Sequence, residues 1–251
     1  MALGLIGAGN MARALARGWG EAVLCSDAGS GRAGRLVAEV GGEALSSNAE
    51  VAERADLLVL CHKPAQLEAV AAEVAGRAPV VVSVLGATSL QDLQGAYPGA
   101  AVLRTMPNTA VEVRAGVTCM CPGAEVAPEI VERVRVLFGR LGHVIDLPER
   151  LMDVATGTSG VAPAYAALIA EAQIDAAVKH GLPSAVAGQL VVESLAGSAA
   201  LLKARGFDTL AVRREVTSPG GSTARGLAAL ERGGLRSAFV DALEAVMAVR
   251  R

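Results

Sequence analysis

The chain has 251 residues, 52% of them hydrophobic and 19% charged, with a net charge of −2. That is enough apolar chain for a sizeable core and two modest domains, and it excludes collagen-like and disordered classes. With near-balanced charge and only one Trp, two Tyr and three Phe, the chain has neither a basic groove nor a stacking platform, so no nucleic-acid partner is expected.

Ala2–Ile6 is a short apolar run ending at Gly7; Met11–Gly20 carries apolar residues at helical spacing, and Ala22–Ser26 returns to strand character. No charged leader precedes this β-turn-α-β opening, and the longest apolar stretches are broken by Gly, Pro or charge before the ~18 residues of a membrane span. The expectation is a soluble, cytoplasmic protein without a membrane partner.

The opening carries Gly7-x-Gly9-x-x-Ala12 between strand and helix. Gly7 permits a tight turn, Gly9 lets a pyrophosphate approach the backbone, and Ala12 keeps the helix close to the strand, which points to a dinucleotide held by Gly7, Gly9, Asn10 and Met11. Asp27 follows about 20 residues on, at the end of the second strand, where such folds place an acid on the ribose. Asp27 accepting from the 2′-OH favours NADH, while Ser26, Ser30 and Arg32 around a 2′-phosphate favour NADPH. Asp27 serves equally well as the cap of its own turn, Asp27-Ala28-Gly29. The cofactor is therefore left as NADPH or NADH.

Strand-like runs recur at Leu57–Cys61, Val80–Leu85, Ala101–Arg104 and Gly116–Met120. Ile130, Val134, Leu137, Phe138 and Leu141 share one helical face, so Pro128–Leu141 is expected as a helix stopped by Gly142, before a last strand at Val144–Leu147. The fold class is α/β, an N-terminal doubly wound, mostly parallel sheet over residues 1–150, followed by an all-α domain over 151–251. Lys63 lies just past a strand's C-terminal end, as a cofactor contact or a solvated turn residue, and Pro64 suits the first turn of the next helix. Cys119 and Cys121 read either as ligands of a soft metal or, by strand alternation, as small hydrophobes on one face. Cys25 and Cys61 complete no C-x-x-C pair, and His62, His143 and His180 lack metal-ligand spacing with one another or with the cysteines, so no metal is expected.

Beyond Pro148 alanine-rich helices take over. Alone they make a thin core, and a second copy is the simplest cover for their apolar faces, so a homodimer or higher homo-oligomer is expected. Within them, Thr217-Ser-Pro-Gly-Gly-Ser-Thr223 opens a helix with glycine-permitted backbone and hydroxyls, so that unpaired N–H groups can face a small anion such as a carboxylate.

Gly7-Ala-Gly-Asn-Met11, His62-Lys63-Pro64, Arg104-Thr-Met-Pro-Asn108 and Thr217–Thr223, in this order, resemble the signatures of pyrroline-5-carboxylate reductase. The resemblance implies a Rossmann domain and a helical dimerisation domain, and reduction of the cyclic imine 1-pyrroline-5-carboxylate to proline by NAD(P)H, the last step of proline biosynthesis. It implies that Ser218, Gly220, Gly221, Ser222 and Thr223 hold the substrate, with Thr223 the catalytic partner of the ring nitrogen. It places cofactor contacts on Gly9–Met11, Lys63, Ser83–Gly86, Met106, Pro107 and Asn108. Arg104 is left between a phosphate contact and an interface residue, and Tyr165 reads as core.

Two departures stand out. Val161 and Ala162 occupy the serine and glycine of the family's S-G-S-G-P-A-Y, and Ser83-Val-Leu-Gly-Ala87 replaces an S-I-A-A-G run, placing the bulkier Leu85 near the nicotinamide. They keep open a reductase of another small cyclic imino acid or hydroxyacid, or a dinucleotide-binding protein without turnover.

Overall fold

The computed structural model describes residues 1–248. The chain forms two compact units, Met1–Pro163 and a second that begins at Ala164.

The first unit is built on one eight-stranded sheet of order β3-β2-β1-β4-β5-β6-β7-β8. Its strands are β1 (Leu3–Ile6), β2 (Val23–Ser26), β3 (Gly42–Ala44), β4 (Leu57–Leu60), β5 (Val80–Ser83), β6 (Ala101–Pro107), β7 (Gly116–Pro122) and β8 (Gly142–Asp146). All neighbours run parallel except β6 and β7, where Leu103 pairs with Pro122 and Pro107 with Thr118 in an antiparallel hairpin. The continuous apolar runs of β1, β4 and β5 follow from burial on both faces.

Period-two alternation divides those runs between two cores. Leu3, Leu5, Leu57, Val59, Val80, Val82 and Leu103 pack with Leu15 and Trp19 of α1 (Asn10–Trp19), Leu36 of α2 (Arg32–Val40) and Leu137 and Phe138 of a later helix, Pro128–Gly139. Ile6, Leu58, Leu60, Val81 and Val102 pack on the other face with Val51 of α3 (Asn48–Arg54), Val70 and Val74 of α4 (Leu67–Val74) and Leu93 of α5 (Leu90–Ala96). The helix Pro128–Gly139 is α6. Trp19 meets Phe138 edge-on at 5.6 Å and donates from Nε1 to the Leu137 carbonyl, so truncating either ring costs about 3–5 kcal/mol.

After β8 come a short α7 (Met152–Ala155) and a π-turn, Thr156–Gly160, with Val161 at its end. The helices α8 (Ala162–Lys179), α9 (Ser184–Ala204), α10 (Thr209–Glu215), α11 (Ser222–Arg232) and α12 (Leu235–Ala248) complete the described chain. Of the residues in the second unit, Ala187 and Val191 are buried, while Leu168, Leu190, Phe239 and Val240 are exposed. Two helical stretches, Glu149–Lys179 and Ser184–Ala204, are long and apolar enough by composition to cross a membrane, which the residue-by-residue inspection of apolar runs did not anticipate. Glu171, Asp175, Glu193 and Lys203 interrupt them.

Candidate active site

The strand order switches at β1, running outward to β2 and β3 on one side and to β4 and β5 on the other, the point at which open α/β sheets leave a crevice beyond their strand ends. A cleft of about 1030 Å³ lies there, bordered by Gly7–Met11, by Asp27–Ser30 and Arg32, by Ser46–Asn48, and by Cys61–Pro64 and Val84–Gly86. Gly7 has φ +97°, and a Cβ there would stand 2.9 Å from the Cys61 carbonyl carbon and the His62 nitrogen, so the first glycine is demanded by both backbone and space. Gly9 differs. A Cβ on it meets nothing within 4 Å, which is the opening a pyrophosphate needs, and as N-cap of α1 it leaves the first-turn N–H groups without a side-chain cap. Asn10, Met11, Lys63 and Pro64 border the same cleft, with Pro64 in the first position of a 3-10 turn.

Asp27 is engaged within its own loop. Oδ1 accepts from the Gly29 and Ser30 N–H groups at 2.8 and 3.0 Å, and Oδ2 accepts from Ser30 Oγ and the Ala33 N–H at 3.0 and 2.8 Å. Burial pushes this carboxyl up, yet the hydrogen bonds from Ala33, Ser30, Arg32 and Gly29 outweigh it and hold the pKa below the ordinary value. Ser26 is buried and donates from Oγ to Asn48 Oδ1 at 2.7 Å, so it orients Asn48 rather than facing the cleft with a free hydroxyl. Sequence reasoning passed over Asn48, whose signal is its place after the Ser47 cap that starts α3.

His62, quoted only as part of a motif, borders the cleft as well. Its Nδ1 lies 2.9 Å from the Lys63 carbonyl, which fixes Nδ1 as the donor, and Nε2 is buried without a partner among the described residues. Burial lowers its pKa, against the raising effect of that hydrogen bond, so the ring is neutral at pH 7. Leu85 borders the cleft too, but its side chain is buried in the core cluster of Val70, Leu93 and Tyr97. Its bulk is turned inward, into that core.

Met106, Pro107 and Asn108 stand apart from the residues that border the cleft. Met106 packs with Cys119, Cys121 and Met152, the two cysteines lying on one face of β7. Asn108 accepts through Oδ1 from the Val117 N–H and donates through Nδ2 to the Ser159 carbonyl, fastening the β6–β7 hairpin to the π-turn. Arg104 is 3% exposed; Nη1 bonds Glu149 Oε1 at 2.6 Å and Nη2 bonds Asp153 Oδ1 at 2.9 Å. Glu149 Oε1 also accepts from the Leu90 N–H, so Arg104 anchors the segment after β8 to the sheet instead of reaching a phosphate. Ala87, where the family run ends in glycine, has φ +54°.

In the second unit, Ser218–Thr223 forms the turn that opens α11. Gly220 has φ +70°, the Gly221 N–H donates to the Ser218 carbonyl at 3.1 Å, and Gly221 is the N-cap of α11 with no side chain capping the first turn. A Cβ on Gly221 would run into Ser218 Oγ. Ser222 and Thr223 are exposed in that first turn, and Thr217 Oγ1 is buried with no hydrogen-bond partner among the described residues. Tyr165 is half-buried and packs edge-on against Phe239 at 6.3 Å.

Fold and cleft together define an α/β dinucleotide-binding protein with a helical second unit. Residues 2–86 match a family profile described as NADP oxidoreductase coenzyme F420-dependent, and residues 149–251 match one described as pyrroline-5-carboxylate reductase dimerisation. The chain is 41% identical over 200 residues to a pyrroline-5-carboxylate reductase of Synechocystis sp., covering 79% of this chain and 75% of that one. It is 35% identical over 254 residues to mouse pyrroline-5-carboxylate reductase 3, covering 97% and 92%. Among solved structures, the Streptococcus pyogenes 1-pyrroline-5-carboxylate reductase superposes with a TM-score of 0.92 at 29% identity, over 100% of this chain and 98% of that one. The Plasmodium falciparum pyrroline carboxylate reductase, solved with NADP bound, gives 0.87 at 27% identity, over 98% and 95%. The chain belongs to the pyrroline-5-carboxylate reductase family.

Proposed function

We infer that this protein reduces the cyclic imine 1-pyrroline-5-carboxylate to proline, using NADPH or NADH, as its family membership indicates. The observation that carries the reading is the presence in one chain of two helix N-termini without side-chain caps, one opening a dinucleotide cleft and the other following a Pro-Gly-Gly turn.

The first fits a pyrophosphate, through the open approach at Gly9 and the N–H groups of Asn10 and Met11. Lys63 supplies positive charge at the rim of the cleft. The second fits the substrate carboxylate, through the N–H groups of Gly220–Thr223 with Ser218 shaping the turn. Thr223 takes the ring nitrogen as hydrogen-bond partner, and no strong base is needed because a protonated imine is already electrophilic. The reduced nicotinamide, when bound, supplies the hydride. Residues 1–150 are assigned to the dinucleotide and 151–251 to substrate and dimerisation, an assignment supported by the dimerisation profile starting at residue 149. The exposed apolar side chains of α8, α9 and α12 support burial against a second copy in a soluble, cytoplasmic homodimer or higher oligomer.

The test is oxidation of NADPH and NADH, separately, with 1-pyrroline-5-carboxylate and with its six-membered homologue, and identification of the amino acid formed. Turnover of the five-membered ring alone supports the reading. One observation favours a second reading: Val161 ends the π-turn with an apolar side chain where the family has a hydroxyl. Preference for the six-membered ring would move the substrate to another cyclic imino acid, and cofactor binding without oxidation would remove turnover altogether.

A further inference from the structure

Resting on the nucleotide reading of the cleft, we propose that the protein selects NADPH over NADH, with Arg32 recognising the 2′-phosphate and Asp27 shaping the loop instead of gripping the ribose diol.

A ribose-binding acid works by leaving carboxylate oxygens free to accept from the 2′- and 3′-hydroxyls. Asp27 has none to offer. A carboxylate has roughly four lone-pair sites, and four donors from Gly29, Ser30 and Ala33 take two on each oxygen. Three of those donors are backbone N–H groups of the loop that leads into α2, so the geometry is set by the chain path, and freeing an oxygen for a diol would undo the turn. The acid at the expected sequence position is thus a structural cap.

The same contacts narrow the candidates for a phosphate. Of the three residues whose sequence positions suit one, Ser26 has its hydroxyl bonded to Asn48, and Ser30 has its hydroxyl bonded to Asp27. Arg32 remains: exposed, on the border of the cleft beside this loop, with its guanidinium in no ion pair or hydrogen bond among the described residues. The contrast with nearby arginines is informative, since Arg13 and Arg17 both engage Glu39 and Arg35 leans on the Ser30 carbonyl at 3.5 Å. Guanidinium suits a phosphate through paired, charge-assisted N–H donors. The Asp27 charge opposes a second anion, but its bonds to three backbone N–H groups disperse it, and Arg32 compensates it locally.

Calorimetric titration of the intact protein with 2′,5′-ADP and with 5′-AMP, which differ only in the 2′-phosphate, tests this without turnover. The expected result is a preference of at least about tenfold for 2′,5′-ADP, reduced to within about threefold in Arg32→Gln, with the preference falling as salt rises. Equal affinities in the wild type, or a preference untouched by Arg32→Gln, would each overturn the proposal. Failure of the broader reading looks different: an Arg32-dependent 2′-phosphate preference in a protein that reduces no imine keeps this inference and loses the substrate, whereas a working reductase without the preference does the reverse.

Discussion

Asn108 donates from Nδ2 to the carbonyl oxygen of Ser159 at 3.1 Å, joining the end of β6 to the π-turn that precedes α8. The same amide accepts from the Val117 N–H, so one buried side chain bonds two backbone groups, the Ser159 carbonyl also accepting from the Val161 N–H. Asn108→Ala removes both bonds and should lower stability by about 1–3 kcal/mol. Urea unfolding at fixed protein concentration measures it, and a midpoint identical to wild type would show that the tie carries no energy.

The two glycines of the opening motif should fail in different ways. Gly9→Val puts a side chain into open space at an ordinary φ of −78°, so it should abolish NADPH binding while costing about 1 kcal/mol as a poor N-cap. Gly7→Val drives a side chain into the Cys61–His62 backbone at φ +97° and should destabilise the whole first unit. Fluorescence titration and thermal unfolding of both variants separate the effects; retained NADPH affinity in Gly9→Val would displace the pyrophosphate from this turn.

Ala87 sits at φ +54°, a region that disfavours any Cβ. Ala87→Gly removes that strain but gives the unfolded chain more freedom, for a net gain of about 0.5–1 kcal/mol and a rise in Tm of roughly 1–4 °C. Calorimetry decides, and a lower Tm would mean that the turn prefers alanine.

Thr223 and Gly221 address different parts of the substrate. Thr223→Ala should lower kcat about 10- to 100-fold with NADPH affinity unchanged, since a bond to the ring nitrogen matters most as charge changes there. Gly221→Val pushes on Ser218 and obstructs approach to the N–H groups of α11, so its main effect should fall on KM for the acid. Wild-type kinetics in both variants would reduce the loop to a helix start.

Much of this was legible in the sequence where a local rule governs. The glycine turn, the Pro128 helix and the Pro-Gly-Gly loop are set by φ requirements and by 3.6-residue periodicity, and each lies within two residues of where the pattern puts it. Strand β3 escaped because its three residues, Gly42–Ala44, are exposed at a sheet edge and carry no apolar alternation. β6 runs on to Pro107, past the expected end at Arg104, because pairing with β7 supports a segment whose own propensity is weak. The fate of individual polar side chains was least legible. Asp27 and Arg104 have the residue types of ligand contacts, and only the positions of Ala33 and of Glu149, 6 and 45 residues away in the chain, show them bonded internally.

The sulfur chemistry of the fold has a practical side. Burial pushes the Cys25 thiol up to about 12 and raises Cys61, Cys119 and Cys121 as well, so the nucleophilic thiolate is scarce at all four positions while the sheet is intact. Cys25 stands on β2, Cys61 just past β4, and the other two on β7, which distributes the thiols across the sheet. Alkylation kinetics therefore serve as an intrinsic stopwatch: modification that lags global unfolding reports a sheet that opens as one body, and early labelling of Cys119 or Cys121 would reveal that the hairpin side breathes first.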